Sequence, residues 1–173
     1  MEFIELDQRR KLLGKELIAR VYFLPTNKKI ILAPVYLNAA SLDFEQDQIE
    51  IMPIEGPISC EELGRKAYET LLRCDRKDRN LRDHKANDWE VYRASGAKSL
   101  RQFARQTIRI DLKTFPVAIE VQGWPPQSEV WNINGLGMHV RAFANLGCED
   151  MELGTLILRI VRCCQKLHSE GLA

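Results

Sequence analysis

Apolar and polar positions along this chain change period several times, and each change predicts an element. LIARVYFL, starting at Leu17, is apolar and rich in β-branched and aromatic residues; after the turn-like PTNK, KIILAPVYL resumes the pattern. Two such runs around a short turn predict a β-hairpin, without the Asn-Gly or Asp-Gly signal that marks the tightest ones. Pro34 lacks an N–H and belongs at an edge or a bulge. FEQDQIEIMPI predicts a further strand, with Ile49 and Ile51 on one side and Glu50 on the other. Before the hairpin, Leu6, Leu13 and Leu17 keep one side of a short helix over residues 7–15.

At GPISCEELGRKAYETLLRC the period becomes helical. Ser59 and Glu62 form a capping box, and Ile58 and Leu63 a hydrophobic staple. Leu63, Ala67, Leu71 and Leu72 then line the buried stripe of a helix over residues 60–74. Gly64 predicts a close approach to a sheet, at about 1 kcal/mol relative to alanine. The polar run DRKDRNLRDHKAND is an exposed connection. Ser99 caps a short helix with Phe103 turned inward. From Thr107 to Lys113, Ile108, Ile110 and Leu112 alternate with Arg109 and Asp111, and VAIEV follows a Phe115-Pro116 turn as a second hairpin-like unit. MHVRAFA is a short strand between glycine-marked loops. Asp150 caps a long last helix with Leu153, Leu156, Ile157, Ile160, Val161, Cys164 and Leu167 on its apolar side. These elements predict an α+β class, one domain over residues 1–173, with a mixed or antiparallel sheet packed against helices and a long C-terminal helix.

Composition changes this picture little: 173 residues, 45% of them hydrophobic, suffice for a real core. No apolar run approaches the roughly 20 residues of a membrane span. The N-terminus lacks the form of a signal peptide, so the expected location is the cytoplasm. Five cysteines without framework spacing read as free thiols.

Charge is more informative. The net value of +1 hides seven acids and no base from Ser41 to Gly64, then fourteen bases against seven acids from Arg65 to Lys113. Such a split bears on what docks, not on fold. Known chemistry is not legible. Gly135-Leu136-Gly137 is too short for a nucleotide fingerprint, and Ser95 and Ser99 lack a nucleophile elbow. Asp111-Leu112-Lys113 is an isolated acid-x-lysine. The three histidines have no metal-ligand spacing. The expectation is a protein without catalytic residues, metal or cofactor.

Two binding modes remain. Residues 93–113 carry Arg93, Lys98, Arg101, Arg105 and Arg109 with Tyr92, Phe103 and Phe115 interleaved, which would fit an RNA-binding surface. The adjoining acids weigh against a nucleic-acid partner. A protein partner uses both signs: Asp43, Glu45, Asp47 and Glu50 would steer a cationic surface, and Trp124 and Trp131 would anchor it.

LLGKELIARVYFLPTNKKIILAPVYL, EELGRKAYETLLRC and above all RASGAKSLRQFARQTIRIDL resemble an immunity-protein family of bacterial contact-dependent growth inhibition systems. The resemblance runs from about Leu12 to the last helix. It implies a cytoplasmic protein that binds one cognate toxin C-terminal domain, often a nuclease, one-to-one and blocks it without chemistry of its own. It assigns no functional role to Ser95, Lys98 or Arg101, which would instead specify the fold, with Lys98 or Arg101 paired to an internal acid.

Overall fold

The computed structural model describes residues 16–37, 43–45, 48–74, 89–126 and 138–172. The helix expected over residues 7–15, the polar connection and Gly135 and Gly137 lie outside them. Seven described strands, β1 (Ile18–Leu24), β2 (Lys29–Leu37), β3 (Asp43–Glu45), β4 (Glu50–Pro53), β5 (Ile108–Thr114), β6 (Ala118–Trp124) and β7 (Val140–Asn145), form one sheet. Every pairing is antiparallel, in the order β3-β2-β1-β5-β6-β7, with β4 beside β3 on the same edge of β2. The helices are α1 (Cys60–Leu72), α2 (Glu90–Ser95), α3 (Leu100–Gln106) and α4 (Asp150–Ser169). This is the α+β class expected, with its antiparallel sheet and long last helix.

Both hairpins form where the alternation places them. The first turns through one 3-10 turn (Pro25–Asn27), closed by Lys28 in the left-handed region at φ 48°. That geometry dispenses with an Asn-Gly pair. β2 pairs with β4 over residues 29–32 and with β3 over residues 35–37. Pro34 falls in the gap between them, so its missing N–H interrupts no ladder. The single strand expected over FEQDQIEIMPI is therefore two short ones. Its alternation survives, but Glu50 turns towards α1 while Ile51 stays half exposed.

The main core lies between the sheet and the pair α1 and α4. Ala19, Val21, Phe23, Ile110, Leu112 and Val121 meet Leu63, Tyr68, Leu71, Leu153, Ile157 and Cys164. Ser59 caps α1 as its sequence predicts, its Oγ accepting from the Glu62 N–H at 3.2 Å. Gly64 corrects an expectation: it packs against a helix, not the sheet. A Cβ there would lie 1.8 Å from the Asp150 carbonyl oxygen, and one on Gly154 would lie 1.8 Å from the Cys60 carbonyl oxygen. The two backbones touch. Asp150 is consequently inside α4 rather than its cap, a position held by Glu149 without a side-chain bond. The Tyr68 hydroxyl adds a tie, 2.9 Å from the Cys148 carbonyl oxygen. Burial pushes the Cys164 thiol up to about 12.

The opposite face is covered at one end by α2 and α3 over a second cluster of Tyr22, Leu24, Ile31, Ala33, Val91 and Phe103. RASGAKS is the junction between these short helices. Gly96 ends α2 at φ 74°, and Ser99 starts α3 by accepting from the Gln102 N–H at 3.1 Å. The buried Ser95 Oγ donates to the Tyr92 carbonyl and accepts from the Ala97 N–H. Asn27 and Lys29 donate to the carbonyls of Ser95 and Ala94, fastening the junction to the first hairpin. The motif specifies fold. Lys98 and Arg101 are exposed, however, and neither pairs with an acid among the described residues.

Gly154→Ala should destabilise the protein by about 2 to 4 kcal/mol despite alanine's better helix propensity, because backbone cannot yield to the added methyl. Urea unfolding should show a lower midpoint at an unchanged slope.

Candidate partner-binding surface

Of the acids expected to form one patch, Glu45 and Glu50 do not share one face. Glu45 lies on the α2 side of the sheet with its side chain only 3% exposed. Its Oε1 accepts from Arg20 Nη1 at 3.0 Å and from the Tyr22 hydroxyl, and its Oε2 from Trp89 Nε1 at 2.5 Å. Small Ala33, paired with Arg20 across β1 and β2, leaves the guanidinium room to reach over β2. Glu50 lies on the other side, paired with Lys66 and, at 3.3 Å, with Arg73 on and just beyond α1. The hydrogen bond to Glu50 raises the Lys66 ammonium above its ordinary value. Asp43 is in β3; Asp47 and Trp131 lie outside the described residues.

Trp124 is the candidate anchor whose surroundings are best defined. It closes β6 opposite Arg109, and its Nε1 donates to Asp111 Oδ2 at 2.9 Å. The Arg109 guanidinium lies 5.1 Å from the indole centroid, and the His139 ring 5.0 Å. Asp111 also pairs with Arg109 at 3.1 Å and Arg20 at 3.4 Å. A continuous polar chain thus runs from Glu45 through Arg20, Asp111 and Arg109 to Trp124. Alternation dictates this. With Ile108, Ile110 and Leu112 committed to the core, Arg109 and Asp111 must face the other way. The result is a rigid indole, partly exposed, on the half of the sheet beyond α2 and α3.

The sequence reading missed Arg20, Tyr22 and Trp89 as a group. The available signal was Arg20 and Tyr22 sharing a parity within an apolar strand, but Glu45 and Trp89 join them only through the fold. Tyr22 is 1% exposed, and burial, followed by the nearby Glu45 carboxylate, raises its hydroxyl well above the ordinary value of 10.0. Trp89 meets its ring edge-on and Phe103 at a tilt, while Tyr92 stacks on Trp89; the Trp89 and Phe103 centroids are 5.1 Å apart.

The basic stretch divides too. Arg93, Lys98, Arg101 and Arg105 are exposed, Arg93 paired with Glu90, whereas Arg109 is turned into the Asp111 network. Phe103 is fully buried, so it is not available to stack on a base. Among the described residues no group of three or more His, Cys, Asp or Glu is placed to hold a metal, and no helix is long and apolar enough to cross a membrane.

The fold has solved counterparts. A protein of unknown function from Neisseria meningitidis superposes with a TM-score of 0.63 at 10% identity, over 95% of this chain and 99% of that one. A chain of the CdiA-CT/CdiI toxin and immunity complex from Yersinia pseudotuberculosis superposes with a TM-score of 0.59 at 12% identity, over 87% and 98%. This fold occurs in a toxin–immunity complex. At these identities the likeness is one of architecture. No protein-family model and no curated protein matches the sequence.

Glu45→Ala should cost about 3 kcal/mol, because it takes a buried carboxylate away from three donors, Arg20, Tyr22 and Trp89. The loss should appear in chemical denaturation, accompanied by a shift in Trp89 emission. Tyr22 gives a pH dependence. Below pH 10 the folded and unfolded chains both keep its proton; above pH 10 only the folded chain does, so stability falls as pH rises. One proton corresponds to about 1.4 kcal/mol per pH unit. Tyr22→Phe should show a correspondingly shallower alkaline loss between about pH 10 and 11 when both proteins are unfolded in urea.

Proposed function

We propose that this protein is a cytoplasmic immunity protein that binds the C-terminal toxin domain of a contact-dependent inhibition system, one-to-one, and blocks it without catalysis. The observation that carries the reading is the fold shared with a chain of a toxin and immunity complex over 87% of this chain. The RASGAKSLRQFARQTIRIDL resemblance supports it independently, since it rests on sequence. The toxin class that fits best is a nuclease, whose substrate-binding surface is cationic. One domain spanning residues 1–173 suits a compact inhibitor of this kind.

Contact is proposed at Asp43, Asp47, Trp124 and Trp131. Trp124 is the best supported of them, because Arg109, Asp111 and His139 fix its indole before any partner arrives, which lowers the entropy lost on binding. Glu45 and Glu50 act from beneath: their carboxylates are already engaged by Arg20, Lys66 and Arg73 and hold β3 and β4 in place.

The test is titration of the protein with the toxin domain encoded immediately upstream, with toxin activity followed in the same samples. One-to-one binding and loss of activity are expected, and Trp124→Ala should weaken binding by about 2 kcal/mol. A folded upstream domain that neither binds nor is inhibited defeats the proposal. Salt-sensitive retention of RNA in its place would point to the exposed Lys98, Arg101 and Arg105 surface.

A further inference from the structure

Between β7 and α4 lies an open cleft of about 480 Å³. Phe143 on β7 and Met151 in the first turn of α4 flank it, 60% and 57% exposed, with the partly buried Leu156 between them and the core. Glu149 and Glu152 stand on its rim, both exposed and both without an ion partner among the described residues. Arg159 lies at its far end. Glu61 and Glu62 at the start of α1 are exposed as well, Glu62 lining a separate cleft beside β4.

Helix dipoles account for acids at both N-termini. They do not account for Met151, a large apolar side chain left in water beside those acids, or for Phe143, equally exposed on the edge strand that borders the cleft. β7 also has no second partner strand among the described residues, and an exposed sheet edge is ordinarily blunted by lysine or proline rather than furnished with phenylalanine. Exposed apolar surface rimmed by charge is the form of a protein-binding site.

We infer that this cleft docks a protein segment that presents an apolar side chain flanked by lysine or arginine. The rim decides against the other occupants. A nucleic acid would bring phosphate against these carboxylates, and a second copy seated about a two-fold axis through the rim would bring Glu149 and Glu152 against their own equivalents. The inference rests on the proposed function: the cationic segment belongs to the toxin domain, and the cleft provides an apolar socket beside the charge that steers it.

The experiment measures binding of the upstream-encoded toxin domain to the wild-type protein, to the Glu149→Lys, Glu152→Lys double variant and to Phe143→Ser. Amide hydrogen exchange of the wild-type complex is recorded alongside and needs no substitution. The dissociation constant is expected to rise about 100-fold in the charge variant, with a flatter salt dependence, and about tenfold or more in Phe143→Ser. Reversal at the distant Lys98 and Arg101 should change it by no more than about twofold. Residues 140–145 and 150–156 should gain protection in the complex. If the wild-type complex forms while both variants bind equally well and these amides gain nothing, the cleft inference is overturned and the immunity reading stands. If the wild-type protein forms no complex, both fall together.

Discussion

The contact between Gly64 and Gly154 sets the geometry on which the other layers depend. Two helices far apart in the sequence meet backbone to backbone, with space for a hydrogen atom but not a methyl group on either glycine. Such an approach brings both apolar stripes flat onto the same sheet face, so that Leu63, Leu71, Leu153 and Ile157 share one core with β1, β5 and β6. It also draws the two N-termini together.

The second face of the sheet follows a different rule. One end is closed by α2 and α3 over an aromatic cluster, and the remainder carries paired charges rather than apolar side chains. Glu45 links the two regions, since its carboxylate accepts from Tyr22 and Trp89 in the aromatic cluster and from Arg20 in the charged row. Burying that carboxylate is tolerable only because three donors converge on it. Along that row Asp111 pairs with both Arg20 and Arg109, and Trp124 donates to the same carboxylate, so each side chain is positioned by its neighbours.

Strands, helices and caps were legible in the sequence because they depend on periodicity and on neighbours a few residues away. The alternation of Ile108, Ile110 and Leu112 fixed which side of β5 was polar. Ser59 and Ser99 announced helix starts that the structure bears out. Gly64 was legible as a site of close approach, but not what approached it. Likewise the acids between residues 43 and 50 read as one charged segment. Alternation and two separate short strands then send Glu45 and Glu50 to opposite faces of the sheet.

By itself, then, the sequence determined most of the elements, the parity of the main strands and the α+β class, since these arise from local sterics and the separation of apolar from polar side chains; the wholly antiparallel pairing came from the fold. Only the tertiary structure decided which charges are internal and which face outward. That distinction depends on partners distant along the chain: Arg20 for Glu45, Arg73 for Glu50, and Asp111 for Trp124. Charge seen along a sequence is a sum, whereas charge offered to a partner is what remains after the fold has paired the rest.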